Sequence, residues 1–123
     1  MTNTTDLGKL ILRVGFGAMM LTHGIPKLMK LLSGDTQFAD PFGLGGTATL
    51  LLAVLAEFIC PILIMIGYKT KLASILPIIT MLVAAFIIHG DDPWSKKEFA
   101  LIYGLGFLAI GLIGNGKFAI EKD

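Results

Sequence analysis

The 123-residue chain holds one cysteine, Cys60. That scarcity excludes an internal disulfide, a CxxC redox pair and a cysteine-rich metal site. A lone cysteine in an apolar segment reads as a small packed hydrophobe. Charge is scarce as well. Asp, Glu, Lys and Arg make up 15% of the residues, against about 25% in ordinary soluble domains. The net charge is +1, and no basic run or interleaved aromatic patch occurs, which excludes nucleic acid as a partner. Walker, G-x-S-x-G and H-E-x-x-H motifs are missing. The G-x-G pairs at Gly104–Gly106 and Gly114–Gly116 lack a third glycine and a Rossmann setting. MTNTTDLGK leads into the first apolar run with no cleavage site behind it, so that run is expected to be retained as a span. No lipidation motif is present.

What the chain does have is apolar length. Hydrophobic residues reach 54%, and the mean hydropathy is +0.80. Four runs are long enough for helices that cross a bilayer, approximately 7–32, 47–67, 72–89 and 96–113. They would use most of the chain and leave no room for a soluble catalytic domain. The expected fold is all-α, an integral membrane four-helix bundle in one domain, residues 1–123. Asp6 is placed to cap the first helix, and Pro26 to kink it. Residues 33–46, SGDTQFADPFGLGG, form the longest loop. Its Phe38, Phe42 and Leu44 suit a partly re-entrant cover over one mouth of the bundle. Ser95 and Glu98 have the spacing of a capping box, which starts the fourth helix near Lys96. GNGK stops it. Lysine and arginine counting narrowly favours both termini inside. The inner side then carries Lys9, Lys69, Lys71, Lys117 and Lys122, and His23, Lys27, His89 and Trp94 lie toward the outer side.

The first run carries charges that lipid would reject. At about 100° per residue, Arg13, Gly17, Met20, Gly24 and Lys27 share a stripe roughly 80° wide, with His23 beside it. Such a stripe faces inward, and its glycines allow close approach. Glu57 is the sharpest signal elsewhere. A carboxylate near mid-membrane costs about 2.5–3.5 kcal/mol on insertion scales, so it must be paired, protonated or beside water. Arg13 and His23 are its nearest candidates by depth. The acid either binds a polar head group or moves a proton, or else it forms a structural bridge with Arg13 that fixes helix register. His23 suits a proton donor, a hydrogen-bond partner for a quinone, or a ligand to metal or haem. His89 gains from ending the third helix. A His23–His89 haem pair is conceivable by depth, but two isolated histidines carry little haem signal, and no metal cluster is indicated. Glu98 has its own explanation in the capping box, and Lys27 has an alternative in snorkelling to the interface.

Arg13, His23-Gly24-x-x-Lys27-Leu28, Glu57, the Gly67-Tyr68-Lys69-Thr70 turn, Glu98 and Gly114-Asn115-Gly116 together resemble the DoxX family of small bacterial membrane proteins. The resemblance covers nearly the whole chain. It implies a four-span bundle in the bacterial inner membrane with a redox-associated role, since the family takes its name from a subunit of a membrane thiosulfate:quinone oxidoreductase. Arg13, His23, Lys27, Glu57 and Glu98 match the family pattern. The missing cysteine pair separates this chain from thiol-redox relatives and argues against direct dithiol chemistry. Two functions are expected to compete. In the first, a quinone or similar lipophilic molecule binds in an intrabundle pocket, with Arg13 on Glu57 and with His23 and Lys27 on the polar head. His89 and Glu98 complete the candidate ligand-binding set, and a redox partner protein supplies electrons. In the second, the same charges stabilise a non-catalytic accessory subunit or a small-molecule permeation protein. Either form sits in the lipid bilayer, and either can form an oligomer.

Overall fold

A computed structural model of the chain describes residues 3–121. Residues 1, 2, 122 and 123 lie outside them, Lys122 of the charge count included. Among the described residues the chain forms four helices and no strand. Helix α1 is Asn3–Leu32. Helix α2 is Gly46–Ile66 and α3 is Thr70–Ile88. Helix α4 is Trp94–Ile113. The connections after α2 and α3 are short, so successive helices run antiparallel. Helix α1 lies along α2, α3 lies along α4, and α1–α4 and α2–α3 contacts close the bundle.

The exterior is the inverse of a soluble protein's. Ile11, Met29, Leu72, Phe86, Phe99, Leu105 and Leu112 all point outward and are at least 60% exposed. An apolar surface that continuous suits a bilayer and would aggregate in water. Helices α2 and α3 are each long and apolar enough to cross, with mean hydropathies of 2.6 and 2.3 over their best windows. Inside, Met20, Ile64, Met81, Ala85, Phe107 and Ile110 form the dry core, and Cys60 packs with them as a small hydrophobe.

Two expectations about helix starts fail for local reasons. Helix α1 begins at Asn3 rather than near Leu7, so Asp6 lies inside its first turn. The Asp6 carboxylate is buried, and it accepts the Lys117 amide at 3.2 Å instead of capping the helix. Helix α4 begins at Trp94 with Pro93 in the cap position and no side-chain cap bond. The Lys96 amide already donates to the Pro93 carbonyl at 3.0 Å. Ser95 is therefore within the helix and no capping box forms. Pro26 is accommodated within α1, which continues to Leu32.

Helices α2 and α3 share an irregularity that sequence pattern does not announce. Each contains a π-turn, at Leu55–Ile59 in α2 and at Ala84–Ile88 in α3. The wider turn adds a residue locally, re-aims the side chains beside it, and recurs at functional sites. Glu57 sits in the first π-turn. His89 closes the second, its amide donating to the Ala84 carbonyl at 2.9 Å.

Asp40 fixes the long loop onto α2. Its carboxylate accepts the Leu44 and Gly45 amides at 2.9 and 2.8 Å and the Thr49 hydroxyl at 2.9 Å. The Gly45 amide, helped by Thr49 and Leu44, holds the Asp40 carboxyl below its usual range. A depressed carboxylate pKa contributes anchoring above the unfolded value and loses it as pH falls through the folded one. Asp40→Ala should therefore lower the protection factors of the Leu44 and Gly45 amides at neutral pH, and acidification of the unmodified protein should lower them too, once exchange is referred to the intrinsic rate at each pH.

Candidate functional site

The α1 stripe is set largely against α2, through Arg13, Gly17, Gly24 and Lys27. Arg13, Gly17, Met20 and Gly24 are all buried, and Lys27 is half-buried. The register is antiparallel. Arg13 lies opposite Ile64 and Met65, donating to both carbonyls at 3.2 Å. A Cβ on Gly17 would meet the Met65 side chain. One on Gly24 would overlap the Glu57 carbonyl itself. The backbone of α1 thus touches the backbone of the α2 π-turn, and only glycine permits that approach. Gly24→Ala is expected to cost about 1–3 kcal/mol by overpacking. Titration of the variant with SDS would check it.

The register overturns the expected Arg13–Glu57 pair. Arg13 precedes Gly24 by eleven residues, about 16 Å of helix at ~1.5 Å per residue, so Glu57 is out of its reach. Arg13 instead joins the carbonyls of Ile64, Met65 and Phe118. Glu57 pairs with Lys27. The reason is directional, since side chains on a helix lean toward its N-terminus. From Lys27 the ammonium reaches back to the level of Gly24, where Glu57 lies. The Glu57 side chain is 4% exposed and that of Lys27 28%. Lys27 therefore turns inward instead of snorkelling. The Phe38 ring from the long loop lies 6.0 Å from its ammonium, close enough for a cation–π contact.

Lys27 and Glu57 line a cavity of about 180 Å³ among all four helices, together with His23, His89, Lys96 and Tyr103. Met20 and Met81 form part of its apolar wall. His23 meets the Tyr103 ring edge-on at 5.5 Å. His89 reaches Asp92 through Nδ1 at 2.7 Å, which orients the imidazole at the end of α3. The His89 hydrogen bond holds the Asp92 carboxyl below its usual range. The lining therefore offers hydrogen-bond donors, a carboxylate, two imidazoles and a phenol around one small volume. Cavities of about 150 Å³ hold a benzene ring, so this one has room for a single substituted ring.

Of the six residues marked in the sequence, the structure brings together His23, Lys27, Glu57 and His89. Arg13 lies toward the other end of the bundle. Glu98 points to solvent and accepts the Trp94 indole N–H at 3.1 Å, away from the cavity lining. Tyr103 and Lys96 were not marked. Tyr103 enters the site through His23 on α1, a partner that no spacing on its own helix reports. Among the described residues no group of three His, Cys, Asp or Glu side chains could hold a metal ion.

The family model described as DoxX matches residues 8–90 of the chain. The protein belongs to the DoxX family. The matched stretch carries Arg13, His23, Lys27, Glu57 and His89 and ends before α4, so Tyr103 and Glu98 lie beyond it. This DoxX protein is an all-α integral membrane four-helix bundle. It is 25% identical to "Putative oxidoreductase CatD" of Bacillus subtilis (strain 168), over 98% of this chain and 90% of that one. It is also 25% identical to "Inner membrane protein YqjF" of Escherichia coli (strain K12), over 99% of this chain and 95% of that one. No solved structure matches it.

Proposed function

We propose that this DoxX protein is a redox-associated protein of the bacterial inner membrane that binds a quinone or similar lipophilic molecule by its polar head. The cavity that joins His23, the Lys27–Glu57 pair and Tyr103 carries the reading. Its volume suits one ring, and its donors suit the carbonyl oxygens of that ring. The names of the two relatives, "Putative oxidoreductase CatD" and "Inner membrane protein YqjF", point the same way. Both termini are assigned to the cytoplasmic side, which puts the cavity toward the outer face of a four-span bundle.

The division of labour follows from the geometry. Lys27 donates to a head-group oxygen, with Glu57 holding the ammonium in place. His23, set against Tyr103, donates from the second side. These groups bind and orient, and they can move protons. Electrons require a cofactor or a redox partner protein, because none of these side chains supplies them.

The test uses protein purified from membranes. Extraction should release a quinone, and added quinone should raise the melting temperature of stripped protein. Lys27→Met should abolish that rise. If no quinone is extracted and added quinone leaves the melting temperature unchanged, the reading fails and an accessory-subunit role takes its place.

A further inference from the structure

A second cavity, of about 210 Å³, lies on the other side of the Lys27–Glu57 pair, between α2, α3 and the long loop. It shares Lys27, Glu57, Met81 and Ala84 with the polar cavity. The rest of its wall is almost wholly apolar, with Phe38, Phe42, Leu52, Ile79 and Val83 among its residues. Phe42, Leu52 and Ile79 are each about half exposed, so the groove opens sideways to the hydrocarbon of the bilayer. The π-turns stand at the junction, since Glu57 belongs to one and Ala84 to the other.

We propose that this groove holds the hydrocarbon chain of the same ligand whose head occupies the polar cavity, and so selects tailed, ring-headed amphiphiles that enter sideways from the membrane. The inference rests on the head-group reading above. The adjacency of the two cavities, which share Lys27, Glu57, Met81 and Ala84, carries it, because a molecule lying across their common wall meets polar groups at one end and apolar walls at the other. By the benzene yardstick, the groove takes about eight carbons of chain. Phe38, whose ring lies 6.0 Å from the Lys27 ammonium, covers the junction from the loop side. The bilayer already solvates the chain, so the groove contributes shape and direction, while the polar cavity contributes hydrogen bonds.

A quinone with a photoreactive diazirine on the first carbons of its chain tests this in lipid nanodiscs with the full-length protein. Adducts mapped by mass spectrometry should fall on Phe42, Leu52 or Ile79, about tenfold above Leu105 and Leu112 on the outer face of α4. That ratio corresponds to a preference of ~1.4 kcal/mol. Excess unlabelled tailed quinone should suppress them. Leu52→Trp, which fills the groove from its exposed rim, should suppress them too, and tail-less benzoquinone should still raise its melting temperature. Even labelling of all outer faces, labelling unchanged in Leu52→Trp, or equal labelling by a diazirine phospholipid would overturn the tail assignment and leave the head-group reading standing. Failure of tail-less quinone to shift the melting temperature of the unmodified protein would remove the head-group reading, and this inference with it.

Discussion

Lys27→Met should destabilise the bundle by about 3–5 kcal/mol, the usual scale for removing one partner of a buried ion pair. The Glu57 carboxylate is almost fully enclosed at 4% exposure, so it is left as a buried, unpaired charge once its cation is gone. Glu57→Gln should cost clearly less. Lys27 keeps 28% exposure and a flexible stem, and it can swing its ammonium toward water. The double variant Lys27→Met with Glu57→Gln should recover most of the single-variant loss, because no charge is then left buried. SDS unfolding of the four proteins closes the cycle. Equal losses for the two single variants, with no recovery in the double, would contradict the asymmetric burial of the pair. Ligand response separates structure from binding, since a refolded double variant that no longer responds to quinone assigns these two side chains to the head-group contact.

Arg13→Met should be about as severe and should act at the opposite end. The Arg13 side chain is fully buried, and it donates to the carbonyls of Ile64, Met65 and Phe118. Hydrogen bonds from a charged donor are worth about 1.5–3 kcal/mol each. Water reaching the freed carbonyls returns part of that, leaving an expected loss on the order of 3–5 kcal/mol. Arg13→Lys should rescue less than half of it, because a single ammonium cannot present the planar fork that serves carbonyls from two directions. The variant should also expose the segment after Gly114 to protease. Protein that remains folded should still answer to quinone, because Arg13 is remote from the cavity. A loss of quinone response without a loss of stability would instead return Arg13 to the binding site.

The four helices and the inward stripe were legible because they rest on periodicity, and periodicity is local. Every member of Arg13, Gly17, Met20, Gly24 and Lys27 turns into the bundle, as a charge-bearing stripe inside lipid requires. The pairing across that face was not legible. Depth measured from segment centres put Arg13 near Glu57, whereas the contact of Gly24 with the Glu57 carbonyl sets the actual register. The lean of Lys27 then decides which cation arrives. The π-turns left no mark in composition, since a widened turn is settled by what packs against it. The apparent capping box failed because Pro93 had already opened the helix. Tyr103 escaped notice because a residue enters a site through a neighbour on another helix, and no spacing on its own helix reports that.

The segment after α4 folds back onto the start of the bundle. The Ile120 and Glu121 amides donate to the Ile66 and Gly67 carbonyls at 3.0 Å, and Arg13 reaches the Phe118 carbonyl across 105 residues of sequence. During synthesis, therefore, the first helix is made long before one of the groups that receives its buried guanidinium. That hydrogen bond can form only after all four helices have been made, so the clasp of this bundle closes once its staves are in place.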